Sequence, residues 1–522
     1  MCATEIDEVV TTADGEVPTT PISDAVTTPT DAQESVSKKR KIIKNYFYST
    51  LYQIYLIIVP VIVTPYVSRV LRPDGIGQFG FSQSLVSYFT LFAALGFYLY
   101  GQREIAKHQG DKFQQSKIIY EITIVRAFTV LACLLVNLLL AWLGVYGMYT
   151  QYMLILSINI FAVLIDFNFY LEGNEEFKKL AVKNFLIKTL SLVSIFLFVK
   201  SEAHVWVYVL ILSLSTITSN FISLYYLSKN LCKIPLKSLK PTSRIIPALK
   251  LFLPAIVTSI YAVLDKLLIG LILKDNTQNG FYYQSDRIIS IVLTVVTSLS
   301  GIMVSRNSNE YQKQNKNALD NNLCFASKIM MFVGLPIMFG LIAVARNMNS
   351  WFFGAGYEEV INLMMSVSPI IILIGLRNIT GTQYLIVVGK EKIFTITFLV
   401  GVITNCILNV ILISFIGVEG AVIASVVSEC LIVLLQMFIL RKEIPIWKML
   451  FAGWKNFIAA LIMFGVVWSI QFFLYSSLWH TLLLVVTGMV IYLVACLLLR
   501  DELLLSLLKN LKKKKPQDKN KF

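Results

Sequence analysis

Nine ionisable residues lie inside stretches that are otherwise apolar: Arg126, Asp166, Lys188, Asp265, Lys266, Asp286, Arg287, Arg377 and Glu429. A charge in such a setting is costly and is retained where it faces water, a partner or a ligand. These residue types support binding chemistry. The five cations Arg126, Lys188, Lys266, Arg287 and Arg377 suit an anionic group. Arginine in particular matches a phosphate or pyrophosphate with two parallel N–H donors and stays charged. The carboxylates Asp166, Asp265, Asp286 and Glu429 are candidates for neutralising those cations or for taking up a coupling proton or Na⁺. Sequence neighbours such as Asp265 and Lys266 point about 100° apart on a helix, so they do not pair with each other. Lys188 and Lys266 also lie close enough to the ends of their segments to snorkel, a purely structural use.

Other chemistries lack their residues. The three histidines and seven cysteines are scattered singly, with no CxxC pair, no disulfide framework and no metal-ligand spacing. No nucleophile-elbow, HExxH or phosphate-loop pattern occurs. No catalytic residue, metal or cofactor is expected, and an ATP-driven pump in one chain is excluded by its missing motifs.

The elements that position the nine charges follow from composition. The 522 residues are 56% hydrophobic and 15% charged, with a mean hydropathy of +0.69, which marks an integral membrane protein. A span takes roughly 20 apolar residues. Fourteen such runs are legible, near 46–70, 80–101, 118–143, 149–171, 181–200, 205–228, 247–273, 280–305, 323–346, 361–388, 393–416, 419–440, 454–475 and 479–499. The net charge of +15 is confined to alternate loops, from Lys38–Lys44 through Arg103–Lys117, Lys178–Lys183, Lys229–Arg244, Arg306–Lys316, Lys390–Lys392 and Arg441–Lys448 to the KKKK tail. The other loops hold only Arg69, Arg72, Lys200, Lys274 and Arg346. This pattern argues against nucleic acid as a partner. By the positive-inside rule it places both termini in the cytoplasm, which requires an even number of spans. Residues 1–37 are Thr-rich and acidic without Lys or Arg, and read as a disordered cytoplasmic tail.

An internal repeat organises the spans. YLEGNEEFKKLAVKNFLIKTLSLVSIFLFV (170–199) parallels IVVGKEKIFTITFLVGVITNCILNVILI (386–413), and GQFGFSQS (77–84) parallels QNGFYYQSDR (278–287). The copies lie six spans apart, which preserves orientation and implies two bundles related by an axis along the membrane normal. The expected architecture is an all-α integral membrane protein. Its N-lobe covers 41–228 (spans 1–6), a basic cytoplasmic linker 229–246, a C-lobe 247–440 (spans 7–12), two C-terminal spans 453–500 and a basic tail 501–522. A cavity between the lobes would bring together Arg126 and Lys188 from one side and Lys266, Arg287 and Arg377 from the other.

The stretch TPYVSRVLRPDGIGQFGFSQS (64–84), with Arg69, Gly75 and Gly77, resembles the first-to-second-span signature of the polysaccharide/oligosaccharide flippase family (Wzx-like) of the multidrug/oligosaccharidyl-lipid/polysaccharide exporter superfamily. Arg72 stands where that family often has Gly. GFYLYGQREIAKH (96–108) is similar to the family's second-span exit, with Gly101, Arg103 and Glu104 in matching places. DFNFYLEGNEEFKKLAVKN, LDKLLIG and GVEGAVIASVVSE resemble its fourth, seventh and twelfth spans.

The resemblance implies translocation of an undecaprenyl-pyrophosphate-linked oligosaccharide repeat unit across a bacterial cytoplasmic membrane. It implies alternating access, for capsule, exopolysaccharide or O-antigen synthesis, with membrane lipids, a polysaccharide polymerase and a chain-length regulator as partners. A lipid II-type flippase is an alternative with a similar cationic cavity. A multidrug exporter of the superfamily predicts an acid-rich cavity instead. A membrane glycosyltransferase or polymerase generally needs a large extra-membrane loop, and the longest external loop, RNMNSWFFGAGYEEV (346–360), is too short for one.

Overall fold

A backbone inside hydrocarbon must satisfy its own N–H and C=O groups, which favours helices. Helices are the only regular elements among the residues that the computed structural model describes, 29–506. Most of the expected acidic tail, 1–28, and of the basic tail, 507–522, lies outside the described residues. Residues 29–37 of the acidic tail are helical, because α1 already starts at Pro29, where a fixed proline φ suits a first helical position.

The N-terminal half contains α1 (Pro29–Ala94), α2 (Phe97–Lys107), α3 (Lys112–Trp142), α4 (Thr150–Leu164), α5 (Asn168–Gly173), α6 (Phe177–Phe198) and α7 (Val205–Ser228). The C-terminal half runs through α8 (Ile245–Leu273), α9 (Asn276–Thr297), α10 (Ser300–Gln312), α11 (Lys316–Phe352), α12 (Glu359–Val367) and α13 (Ile370–Arg377). A π-helix (Asn378–Leu385) follows, then α14 (Glu391–Ile416), α15 (Val418–Leu440), α16 (Ile446–Phe451), α17 (Trp454–Gln471) and α18 (Leu478–Leu498). Among the described residues, twelve segments are long and apolar enough to span a membrane. The bent pair Ile57–Ala94 and Phe97–Lys107 makes a thirteenth. Arg72, at φ 59° and ψ 172°, interrupts the helical backbone of α1; the expected count of fourteen takes the two sides of that break as separate spans.

Apolar packing gathers into three buried clusters, one of which also takes in Ala248 of α8. Val67, Leu71, Met153 and Val209 belong to one buried cluster, and Phe97, Ile118 and Phe169 to a second. A third runs from Ile269 to Cys496. The last two spans are part of this third cluster: Ala459, Met463, Leu484 and Tyr492 share it with Met331, Leu335 and Met338 of α11.

The lobes meet where the two repeat copies cross, at Gly77 and Gly280. A Cβ on Gly77 would lie 1.7 Å from the Asn276 carbonyl oxygen, and one on Gly280 would lie 2.0 Å from that of Pro73. Only hydrogen fits at either position. Hydrogen bonds between the lobes gather at this same end. Gln284 Nε2 donates to Ser68 Oγ at 2.7 Å, Tyr357 Oη to the Ser68 carbonyl at 3.1 Å, and Asn276 Nδ2 to Asp74 Oδ1 at 3.1 Å. Arg69 donates to the Trp351 carbonyl. The stretch 64–84 is therefore more than a turn of one lobe: it forms half of a seal between both.

Substituting Ala for Gly77 or Gly280 is expected to pry this seal open. The check is labelling of an introduced Ser68→Cys by a membrane-impermeant maleimide added from the cation-poor side, in a background without other reactive cysteines. Labelling should rise at least several-fold. Gly465→Ala, whose Cβ would meet open space, should leave it unchanged.

Candidate functional site

Below the seal, the two lobes each contribute an exposed cation. Lys188 projects from α6 and Arg287 from α9, and both are exposed. They are close enough for the Arg287 charge to act on Lys188. Tyr208 of α7 and Tyr283 of α9 lie in the same neighbourhood. Among the described residues, no carboxylate forms an ion pair with either cation. Lys266, by contrast, is neutralised inside the C-lobe. Its Nζ lies 2.6 Å from Asp286 Oδ2, and it sits 5.3 Å from the centre of the Tyr283 ring.

Arg377 is also engaged within its own lobe. Its Nε donates to Glu429 Oε2 at 2.8 Å, and Glu429 is fully buried. The guanidinium stacks 4.7 Å over Phe398. Arg377 ends α13 where the π-helix begins, an irregularity that lets side chains of a membrane helix turn inward. Arg377 thus differs from Lys188 and Arg287 in having its charge already matched by a carboxylate.

One helical turn along α15 from Glu429 lies a second buried site. Asp265, 8% exposed, accepts hydrogen bonds from Asn409 Nδ2 at 2.7 Å, from Ser425 Oγ and from Tyr282 Oη. Asn405 Nδ2 donates to the same Ser425 hydroxyl at 3.2 Å. The side-chain oxygens of Asn405 and Asn409 are buried and have no partner. Four helices thus converge on one carboxylate surrounded by neutral oxygens.

The N-lobe holds a different polar centre. Span four is interrupted at residues 165–167, between α4 and α5. Arg126, 2% exposed, donates to the carbonyls of Val163 and of Asp166, the latter at 2.8 Å. These carbonyls belong to the broken helix end, where the regular backbone ladder stops, although the Val163 carbonyl also accepts from the backbone N–H of Asp166 at 3.3 Å. Arg126 is therefore a clamp inside the lobe, and the expectation that it lines the cavity fails for that reason. Asp166 Oδ1 accepts from the backbone N–H of Asn168 at 3.1 Å and from its Nδ2 at 2.7 Å.

Sequence reasoning missed Lys183. It was counted with a basic loop, yet it is 3% exposed within α6 and donates to Asn168 Oδ1 and, at 2.6 Å, to Ser223 Oγ. The signal was its spacing from Lys179: four residues further into a helix that starts at Phe177. Glu121 was missed too. It is 1% exposed and accepts from Arg244 Nε at 2.6 Å and from the backbone N–H of Lys240 at 2.9 Å, which ties the interlobe linker to the N-lobe.

With this geometry in hand, the chain can be set beside known proteins. A family model described as polysaccharide biosynthesis protein matches residues 42–304, half of the chain. The chain belongs to the polysaccharide biosynthesis protein family. Relatives include a putative O-antigen transporter of Escherichia coli (strain K12), 20% identical over 418 residues that cover 78% of this chain and 98% of that protein. A putative O-antigen transporter of Shigella dysenteriae is 23% identical over 387 residues, covering 72% and 94%. Among solved structures, the inward closed conformation of the lipid II flippase MurJ superposes with a TM-score of 0.64 at 17% identity, covering 86% of this chain and all of that one. An inward-facing multidrug resistance transporter of the MATE family gives 0.59 at 15% identity, covering 74% and 93%. These likenesses show the fold.

The resemblance motifs have concrete uses in this polysaccharide biosynthesis protein. A Cβ on Gly75 would press on Val205 at 2.8 Å, and one on Gly101 on the Phe169 ring at 2.7 Å. Glu104 pairs with Lys107 at 2.7 Å and approaches Arg244 at 3.8 Å. Arg103 is exposed.

Arg126→Gln should destabilise the folded protein, because each buried carbonyl that loses its donor costs about 1–3 kcal/mol. Lys188→Gln, which breaks no ion pair among the described residues, should be nearly neutral. Thermal unfolding of the purified full-length variants checks both: the Arg126 variant should melt several degrees lower, the Lys188 variant within error of the parent.

Proposed function

We propose that the chain is a flippase for undecaprenyl-pyrophosphate-linked oligosaccharides, working by alternating access. The observation that carries this reading is the pair Lys188 and Arg287. Two positive charges from opposite lobes stand exposed and, among the described residues, without a carboxylate partner at membrane depth, where their cost calls for an anionic ligand. A pyrophosphate brings enough negative charge to engage both, and a guanidinium suits it. The relatives named as O-antigen transporters support the same class of cargo. A cationic drug would be repelled by this pair.

The lipid tail has a matching surface. An apolar groove of about 540 Å³ runs between α9, α11, α17 and α18, lined by Ile288, Val292, Phe332, Met463, Leu484 and Tyr492 among others. Ile288 follows Arg287 directly, so α9 presents the pyrophosphate cation and the tail groove on adjacent faces. The basic loops assign their end of the bundle, and both termini, to the cytoplasm. The seal at Gly77 and Gly280 then closes the outer side, and the cargo loads from inside, ahead of polymerisation.

For coupling we favour Na⁺ at Asp265. A carboxylate already served by three donors, with two unpartnered amide oxygens beside it, offers the oxygen set of a small hard cation. Glu429 is held by Arg377, and Asp286 by Lys266, which leaves Asp265 as the carboxylate without a cationic partner in the C-lobe network.

Two measurements test these assignments. Lys188→Gln and Arg287→Gln should each lower surface polysaccharide export at least about 10-fold in cells lacking the native copy, with unchanged protein levels. Normal export in both would remove the cationic site from the account. NaCl should raise the melting temperature of the purified protein relative to choline chloride, and Asp265→Asn should abolish that difference. A shift that persists in Asp265→Asn would place the ion elsewhere.

A further inference from the structure

One face of α9 changes character along its length. Above Arg287 it is lobe interface: Gly280 packs on Gly77 and Pro73, and Tyr283 packs on Gly80 and edge-on to Phe79. Below Arg287 the same face continues at helical spacing through Ser290, Thr294 and Ser298, and then through Ser305 and Asn309 of α10. α9 and α10 run on as one spanning segment, Asn276–Gln312. All five of these side chains are exposed. The hydroxyls of Thr294 and Ser298 donate only to carbonyls of their own helix, those of Ser290 and Val295. Among the described residues, none of the five bonds to another helix.

A lipid-facing helix surface in this protein is apolar, as the exposed Leu483, Val486 and Val490 of α18 show. Ser290, Thr294 and Ser298 are costly against hydrocarbon and belong against water or a polar ligand; beyond the exposed Gly301 and Ile302, Ser305 and Asn309 continue the row at the basic end of the bundle. An open space of about 980 Å³ lies against its lower part, bordered by Ser305, Arg306 and Asn309 of α10 alone. The row begins at the unpaired Arg287 and ends beside a second exposed arginine, Arg306. At 1.5 Å per residue its length from Arg287 to Asn309 is about 33 Å.

We propose that this row is the glycan-binding face of the transporter. With the pyrophosphate between Lys188 and Arg287, the oligosaccharide extends along α9 and α10 towards the basic end of the bundle. Its hydroxyl groups exchange hydrogen bonds with Ser290, Thr294, Ser298, Ser305 and Asn309. The ligand class is a polyhydroxylated chain of several sugars. The small side chains leave room for rings of different stereochemistry, and their hydroxyls and amide serve as donor and acceptor alike. Arg306 stands at the far end, where it would meet an acidic sugar or a substituent such as pyruvate or phosphate. The inference rests on the flippase reading and adds the surface that recognises the glycan.

The test separates hydrogen bonding from mere clearance. The probes are undecaprenyl pyrophosphate and an undecaprenyl-pyrophosphate-linked oligosaccharide extracted from the source cells, both titrated against the purified full-length protein. The parent should bind the glycosylated lipid at least about 10-fold more tightly than the bare one, the yield of one to three neutral hydrogen bonds. The variant carrying Ser290→Ala, Thr294→Ala, Ser298→Ala and Ser305→Ala keeps the row small but removes its hydroxyls. It should bind the bare lipid within twofold of the parent and lose the margin for the glycosylated one. If the quadruple variant does not fold, the pair Ser305→Ala and Asn309→Ala on α10 should lose part of that margin. A margin kept intact overturns the proposal, as does an equal loss for both lipids. Bare-lipid binding that is the same in the parent and in Lys188→Gln would instead sink the flippase reading itself.

Discussion

A charge held at membrane depth must be matched, hydrated or used, since even insertion-based scales put its cost at about 2.5–3.5 kcal/mol. Most buried charges in this protein are matched within one lobe. Glu429 holds Arg377, Asp286 holds Lys266, helix-end carbonyls hold Arg126, and neutral side chains surround Asp265 and Lys183. Lys188 and Arg287 stand apart because each comes from a different lobe and each is exposed between them. The matched charges give each lobe a rigid interior, and the unmatched pair gives the space between the lobes its chemistry.

The same division separates packing within a lobe from packing between lobes. Within a lobe, polar networks and apolar clusters join several helices at once. Between lobes, contacts occur at both ends: the backbones of Gly77 and Gly280 and the hydrogen bonds around Ser68 at one, and Ala248 and Phe252 of α8 packed against Gly96 and the cluster of Phe97 and Ile118 at the other.

Fold class was legible because it depends on composition and on runs of apolar residues, which local sequence displays. Helix interruptions were less so. The break at Arg72 stands directly before Pro73, which disfavours helical backbone at the preceding residue, whereas the break at 165–167 carries no proline. Depth alone picked out five cations as equals. Only tertiary structure shows that Arg377, Lys266 and Arg126 are engaged, because their partners lie 52, 20 and 37–40 residues away. Lys183 escaped notice because FKK at the start of α6 reads like a loop, and a shift of a few residues in a helix boundary decides whether a lysine is at the surface or buried.

Recognition of a pyrophosphate-linked glycan by Lys188 and Arg287 is the proposal on which the others depend. The most direct measurement is translocation in proteoliposomes containing the purified full-length protein and a labelled undecaprenyl-pyrophosphate-linked oligosaccharide, read by the fraction of glycan that becomes accessible to an added glycosidase or lectin. The account predicts protein-dependent translocation that falls at least about 10-fold in Arg287→Gln while the variant stays folded. Translocation at the parent rate in that variant, or none above protein-free liposomes for the parent, would contradict it.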